Sequence, residues 1–318
     1  MKVLVVGGAG YIGSHTVYEL LRANHEVVVL DNLSTGHKEF VPKGVKLYIG
    51  DITKKQDIEA VFEHETIDAV MHFAAKIIVP ESVSKPLEYY YNNVEGVRVL
   101  LESVVAHNVK HFVFSSTAAV YGDAKGVCQE NDLLEPINPY GETKLSVEKM
   151  IKWTAQAHGI SYVVFRYFNV AGADESLEIG YKVLKPTHLV PIVNQAALGI
   201  RDHLDIYGKD YETKDGTCIR DYIHVSDLAQ AHVLGVEYLK NGGKSETMNL
   251  GSNQGFSVLE VVNTAEEIMS LKYQFAARRD GDPALLIASN NKAKNILGWE
   301  PKRTLKDMII SDLNYQKK

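Results

Sequence analysis

Val3-Leu4-Val5-Val6-Gly7-Gly8-Ala9-Gly10-Tyr11-Ile12-Gly13 decides how the rest of the chain is read. Four apolar residues in a row, stopped by glycines, predict a strand buried on both faces, as strands of parallel sheets are. Ile12, Thr16, Val17, Leu20 and Leu21 then recur at helical spacing. The glycines satisfy G-x-G-x-x-G at 8, 10 and 13 and G-x-x-G-x-x-G at 7, 10 and 13. Between a strand and a helix such a loop makes a tight turn and lets the backbone approach a pyrophosphate. It also leaves helix N-terminal amides aimed at the negative charge.

Further strands are expected at Val27–Leu30, Lys46–Ile49, Ala69–Met71 and His111–Phe114, with helical stretches near 54–64 and 92–107. This alternation predicts right-handed βαβ units with helices on both faces of a parallel sheet. Asp31, ending the second strand, is placed to accept from an adenosine ribose diol and to repel a 2′-phosphate, so NAD is expected rather than NADP. Asp51-Ile52, after the third strand, is where an adenine can be held. Asn138-Pro139 reads as N-cap and first helical position, with Gly159 as the stop and a strand at Tyr162–Phe168 beyond it. Residues 171–224 read as loop-rich, with Pro186, Pro191 and several glycines. Ser226 is expected to open a helix, Ser257-x-x-Glu260 is a capping box opening another, and Thr304 begins a last one. The expected fold is therefore α/β: a doubly wound parallel sheet of the Rossmann type with a smaller C-terminal α/β lobe. The nucleotide domain is expected over 1–169, with a return around 222–250, and the second lobe over 170–318.

Composition narrows the partners. The 318 residues carry a formal net charge of −6, so no global basic field exists to hold nucleic acid or an anionic membrane surface. No apolar run approaches the ~18 residues that a membrane span needs. Val3–Val6 meets glycines far short of the apolar core of a secretion signal. The two cysteines, Cys128 and Cys218, fit a reducing cytoplasm and read as inert thiols. Twelve histidines occur, none at a metal-ligand spacing, so no metal is expected. His107, His111 and His158 read as solvated.

Tyr140 and Lys144 are i and i+4 on the helix expected after Asn138, so they share a face. A free phenol, with a pKa about 10, is a poor base at neutral pH. A nearby ammonium and a positive nicotinamide ring both favour phenolate; bringing it to ~7 takes about 4 kcal/mol. Ser115-Ser116-Thr117 ends the preceding strand, at the sheet edge where ligands bind. A hydroxyl there can bond the same substrate oxygen that Tyr140 deprotonates.

With these motifs the chain resembles the extended short-chain dehydrogenase/reductase family, and within it the nucleotide-sugar 4-epimerases. The likeness runs nearly end to end through Gly7–Gly13, Asp31-Asn32, His72-Phe73-Ala74-Ala75, Pro86–Tyr90, Asn92-Asn93-Val94, Ser115–Gly122, Pro139-Tyr140-Gly141-x-x-Lys144 and Arg166-Tyr167-Phe168-Asn169. Two later segments, Asp215-Gly216-Thr217-x-x-Arg220-Asp221-Tyr222-Ile223-His224-Val225 and Arg278-Arg279-Asp280-Gly281-Asp282, are the more specific to the epimerases. The resemblance implies that Tyr140 removes the proton from a sugar 4-hydroxyl while C4 gives hydride to NAD. Lys144 would bond the nicotinamide ribose, and Thr117 would bridge to the same 4-oxygen. The ketone would then present its other face and take the hydride back, leaving NAD bound and unchanged. Gly7, Gly10, Tyr11, Ile12, Gly13, Asp31, Asn32, Asp51, Ile52, Phe73, Ala74, Ala75, Asn92, Ser115 and Tyr167 are implied to line the cofactor with Tyr140 and Lys144. Asn169, His188, Leu189, Tyr207, Arg220, Arg279 and Asp282 are implied to hold a UDP-sugar with Thr117. A cleft between two lobes and a homodimer through the helices near 92–107 and 140–158 are implied as well.

The departures matter too. Thr117 stands where Ser is common and keeps the hydroxyl. Ile77 stands where some members carry Lys, with Lys76 before it, and Leu286 stands where bulk bears on admitting N-acetylated sugars. Rival readings are sugar dehydratases or decarboxylases, a freely exchanging reductase, an epimerase of an N-acetylated hexosamine or a uronate, and a non-catalytic NAD-binding protein. Elimination of water needs an acid and a base beside the threonine, and Ala118-Ala119 occupy those places. Methyl groups move no protons.

Overall fold

The computed structural model describes residues 1–124, 126–183, 186–279 and 283–318. In chain order its strands and helices begin with β1 (Lys2–Val6), α1 (Tyr11–Arg22), β2 (Glu26–Asp31), β3 (Lys46–Ile49), α2 (Lys55–Phe62) and β4 (Ala69–His72). Next come α3 (Val79–Ser84), α4 (Pro86–Tyr89), α5 (Gly96–Ala106), β5 (His111–Thr117), β6 (Gly126–Cys128), α6 (Pro139–His158), β7 (Ser161–Tyr167) and β8 (Asn169–Ala171). The remainder is α7 (Leu189–Ala197), β9 (Leu204–Tyr207), β10 (Ile219–Arg220), β11 (Tyr222–His224), α8 (Val225–Lys240), β12 (Glu246–Leu250), β13 (Phe256–Ser257), α9 (Val258–Glu266), β14 (Tyr273–Ala276), β15 (Leu285–Ala288), α10 (Asn291–Leu297) and α11 (Leu305–Gln316).

Seven strands form one sheet in the order β12-β7-β5-β4-β1-β2-β3. Registers from β3 through β2, β1 and β4 to β5 are all parallel. The chain winds outward from β1 to β3, then crosses back to β4 and winds the other way. The strand order therefore reverses between β1 and β4, where ligands bind in open α/β sheets. Alternation across the strands builds the core: Leu4, Val6, Val28, Leu30, Val70, Phe112 and Phe114 meet Ile58, Leu100, Val104, Val147 and Ile151 of α2, α5 and α6. Each fully buried side chain of this size contributes roughly 1.5–3 kcal/mol. The doubly wound parallel sheet expected from the sequence is the one observed.

Two compact units result. One comprises residues 1–122, 133–166 and 229–248, the other 123–132, 167–228 and 249–318. The second has its own core, in which Val190, Val193, Leu204, Ile206, Val261, Met308 and Ile309 come together from α7, β9, α9 and α11. It also holds the four-stranded sheet β13-β10-β15-β6 and the parallel pairs β8–β11 and β9–β14.

Three local expectations need correction. The stretch read as loop-rich contains α7, whose Pro191 sits in the first turn, where a missing N–H breaks no helical bond. Ser226 does not open α8; the helix starts one residue earlier, and the His224 imidazole accepts from the Ser226 amide at 3.1 Å, doing the work of a cap. His111 is half-buried and bonded to Ser161 Oγ at 2.8 Å, and burial lowers its pKa. His107 is exposed as expected but meets Glu59 at 2.7 Å and stacks on Phe62. The other punctuation holds: Asn138 caps α6 through the Gly141 amide, Gly159 ends it at φ +64°, and capping boxes open α9 and α11.

Candidate active site

The glycine loop follows β1 at the reversal point. Gly7 has φ +82°, and a Cβ there would lie 2.6 Å from the Ala74 amide nitrogen. A Cβ on Gly13 would lie 2.1 Å from the Gly7 carbonyl oxygen, so α1 reaches the strand only because both residues are bare. Gly10 differs: its Cβ would meet only the Gly7 oxygen, at 3.3 Å, which leaves an open cradle on the outer side of the turn. Asp31 is buried, its Oδ2 accepting from the Ala9 amide and its Oδ1 from Leu33. Asn32 donates to Asp51 at 3.0 Å. Burial works against the Asp51 charge, yet donors from Thr53 and Asn32 outweigh it and the carboxyl titrates below its usual range. Ile52 is buried in the core beneath Gly96 of α5. Beside Gly7, the amides of Phe73 and Ala74 donate to the Val6 carbonyl, and the Phe73 ring packs 4.8 Å from that of His232. Tyr11, Ile12, Ala74 and Ala75 are half-buried. A bare cradle, a helix N-terminus and a carboxylate at the next strand end fit the pyrophosphate and ribose of NAD.

At the end of β5 the catalytic candidates come together. Lys144 is 3% exposed; its Nζ donates to the Ser115 carbonyl at 2.7 Å and lies 4.8 Å over the Phe114 ring. Tyr140, one turn earlier on α6, bonds the Thr117 side chain. Thr117 also caps the following turn, accepting from the Ala119 amide at 3.2 Å. An ammonium four residues along the same helix face predicts a lowered Tyr140 pKa. Among the chain's own groups the opposite holds: burial pushes the phenol up to about 12, with only the Thr117 bond pulling it down. Burial also brings Lys144 down to about 7, against the opposing pull of Glu148. His72, ending β4, is held neutral by burial and by Lys144, with its pKa near 3.

The second unit holds most of the residues implied for the sugar nucleotide. Asn169 opens β8, and its backbone and side-chain amides both donate to the Asp221 carbonyl. The Asp221 carboxylate is fully buried and accepts from the Ser252 amide and hydroxyl and from the Ala288 amide; burial still pushes it up to about 6. Arg220 is half-buried on β10, with Nη1 on the Ile219 carbonyl at 2.8 Å. The Arg279 guanidinium lies 3.9 Å over the Tyr207 ring, and Arg278 stacks likewise on Tyr211. His188 precedes α7, bonded to the Tyr181 hydroxyl at 3.0 Å, and burial lowers its pKa. Leu189 is the first residue of α7 and joins the core of this unit. Tyr167 is buried at the end of β7, and Leu286 is half-buried on β15. Asp282 lies outside the described residues.

Residues that the sequence reading passed over are as informative. Asn93, not Asn92, is the buried member of its pair; it grips both backbone groups of Lys76 and bonds Thr143 of α6, while Asn92 only donates to Asn93. Ser116, Glu148, Arg166 and Tyr121 form a buried chain of hydrogen bonds beside the Tyr–Lys pair. For Glu148 the signal was legible, since it continues the four-residue spacing of Tyr140 and Lys144. Among the described residues no cluster of His, Cys, Asp and Glu has a metal-holding arrangement, and no helix is long and apolar enough to cross a membrane.

Comparison with known proteins places these features among relatives. A model of the NAD dependent epimerase/dehydratase family matches residues 3–251. A UDP-glucose 4-epimerase of Halalkalibacterium halodurans is 50% identical over 100% of this chain and 96% of its own length. The crystal structure of UDP-glucose 4-epimerase from Brucella ovis in complex with NAD superposes with a TM-score of 0.95 at 44% identity, covering 99% of this chain and 98% of that one. The enzyme from Bifidobacterium longum in complex with NAD+ and UDP gives 0.93 at 39% identity, covering 100% and 98%.

Proposed function

The chain belongs to the NAD-dependent epimerase/dehydratase family, and we propose that it is a UDP-glucose 4-epimerase, interconverting UDP-glucose and UDP-galactose. The observation that carries this reading is the cluster at the end of β5. Tyr140 is bonded to Thr117, Lys144 is bonded to Ser115, and two alanines stand where a dehydratase needs its proton carriers. When bound, NAD supplies a hydride acceptor for sugar C4 and returns the hydride to the opposite face.

Tyr140 takes the proton of the 4-hydroxyl and gives it back after the sugar has turned. Thr117, already bonded to that phenol, orients the same oxygen. Lys144 has two tasks: it offers a cation that favours phenolate, and it donates to the nicotinamide ribose. Asp31 and the cradle at Gly10 hold the adenosine ribose and pyrophosphate, with Asn32, Asp51 and Phe73–Ala75 beside them. Asn169, His188, Arg220 and Arg279 hold the diphosphate side of the substrate, where a guanidinium fork matches phosphate geometry better than Lys. Tyr207 offers its ring to the uracil and Asp282 a carboxylate to the ribose. Residues 1–169, with a return around 222–250, serve as the NAD-binding domain and 170–318 as the UDP-sugar lobe.

We also assign a homodimer in the cytoplasm. Leu87, Tyr91 and Trp153 of the helical region are 82%, 59% and 65% exposed, large apolar surfaces of the kind that partner subunits cover. Light scattering at micromolar concentration tests the dimer; a monomer refutes it.

The function is tested by supplying UDP-galactose to the purified protein and following UDP-glucose, with NAD content measured after denaturation. Interconversion without net NADH is expected. A parallel arm with UDP-N-acetylglucosamine reads what Leu286 admits.

A further inference from the structure

Three consecutive residues at the end of β5 are each bonded to one of three side chains spaced four apart on α6. Ser115 offers its carbonyl to Lys144, Ser116 gives its hydroxyl to Glu148, and Thr117 bonds Tyr140. Side chains at i, i+4 and i+8 climb one face of a helix, so this face meets the strand end as a row. Glu148 is 8% exposed, and its second set of contacts runs away from the row. Arg166 of β7 reaches it through two nitrogens, Nε at 3.1 Å and Nη2 at 2.7 Å. The remaining guanidinium nitrogen, Nη1, donates to the Tyr121 hydroxyl at 3.1 Å, and the guanidinium lies 5.1 Å over the Tyr121 ring. Tyr121 closes the turn that begins immediately after Thr117. The Thr117 segment is thus held on both sides, at Ser116 by Glu148 and at Tyr121 by Arg166.

We propose that Glu148 and Arg166 are a positioning pair that sets Thr117 and Ser115 against Tyr140 and Lys144 and keeps Lys144 protonated during turnover. This rests on the reading of Tyr140 and Lys144 given above. A buried carboxylate with a bidentate guanidinium is an expensive thing to build merely for stability, since apolar residues of similar volume commonly do as well. Here its oxygens do two further things: one fixes the strand end, and the charge lies on the same helix face as the lysine. Among the described residues, the groups facing Lys144 and Tyr140 come from β4, β5, α4 and α6 itself. His72 of β4 is neutral, the Ser115 carbonyl and Phe114 ring come from β5, and Tyr89 of α4, bonded to Glu81 of α3, neighbours Tyr140. Among the described residues Glu148 is the one carboxylate whose charge supports the Lys144 proton, and its loss lowers the pH at which that proton leaves.

Glu148→Gln keeps the shape and removes the charge. The expected result is a kcat ~10–100-fold lower, the scale set by loosened catalytic geometry, with KM within about threefold. The alkaline limb of the kcat profile moves to lower pH. In protein free of cofactor and substrate, the pH at which thermal stability begins to rise also moves down, a readout that owes nothing to activity. Glu148→Asp retains the charge at shorter reach, so it restores the limb and leaves kcat low. If the single change does not fold, Glu148→Gln combined with Arg166→Met removes both buried charges and must show the same limb shift. A parental kcat and limb in a folded variant overturn the positioning role. An active Tyr140→Phe would overturn instead the reading on which it rests.

Discussion

The catalytic candidates of the first unit and the diphosphate arginines of the second are prepared in opposite ways. Around Tyr140 and Lys144 the polar atoms are engaged, with Lys144 and Ser115 buried and Tyr140 and Thr117 half-buried, each held by a neighbour one strand or one helical turn away. In the second unit the arginines implied for the diphosphate rest on their own surroundings, Arg279 exposed on the Tyr207 ring and Arg220 against a neighbouring carbonyl. Groups that act on reacting atoms gain from being fixed beforehand, because reorganisation during the reaction is costly. Groups that seize a charged ligand tolerate mobility, since the cost of ordering long side chains is offset by charge-assisted bonds. Substitutions in the first unit should therefore fall on kcat, and those in the second on KM.

The largest effect is expected for Tyr140→Phe. Removing the proton carrier should lower kcat ~10²–10⁴-fold while fold and NAD content stay parental, measured by steady-state kinetics and by cofactor release. Lys144→Met should act on stability as well as rate. Lys144 titrates near 7 in the folded chain against 10.5 unfolded, so between those values the unfolded chain holds the extra proton and stability rises with pH. Thermal unfolding from pH 7 to 10 should lose that rise, worth roughly 3–5 kcal/mol, in the methionine variant. Arg279→Leu is the contrasting case, with KM raised ~10–100-fold and kcat nearly unchanged, as the loss of one or two charge-assisted bonds requires. An equal fall in kcat would put Arg279 with the reacting atoms and end the distinction.

The smallest effect is expected in the second unit, at a residue given no part in the reaction. Asp312 of α11 is buried, accepts from Asn194 and Gln316, and is pushed up to about 6 by burial. Its folded value exceeds its unfolded one, so stability present below pH 4 is lost as pH rises through 6. Asp312→Asn should flatten that decline by about 2 kcal/mol, read from thermal unfolding across pH 4 to 7.

How much of this was legible depends on where the information lies. The strands and glycine loop of the first unit are periodic and local, and the caps at Asn138, Ser257 and Thr304 are short motifs that carry their own mechanism. Helix α7 was hidden because Pro191 reads as a breaker unless its first-turn position is known. Asn92 and Asn93 lie in a π-helical turn, where the four-residue rhythm slips and face assignment from spacing fails. Glu148 and Arg166 meet across two elements, and nothing in the local pattern announces that pairing. Lys144 and Tyr140 were visible as a pair, but the direction of the phenol's shift was not: it follows from depth of burial, which spacing does not encode.

The most direct measurement is the ionisation of Tyr140 itself, taken as the difference in tyrosinate absorbance between the parent and Tyr140→Phe, with and without bound NAD. Without cofactor the phenol should ionise only near 12. With NAD bound, its midpoint should fall by several units towards neutrality, and Lys144→Met should return it upward. A midpoint that stays near 12 in the NAD-loaded protein would contradict Tyr140 as the base.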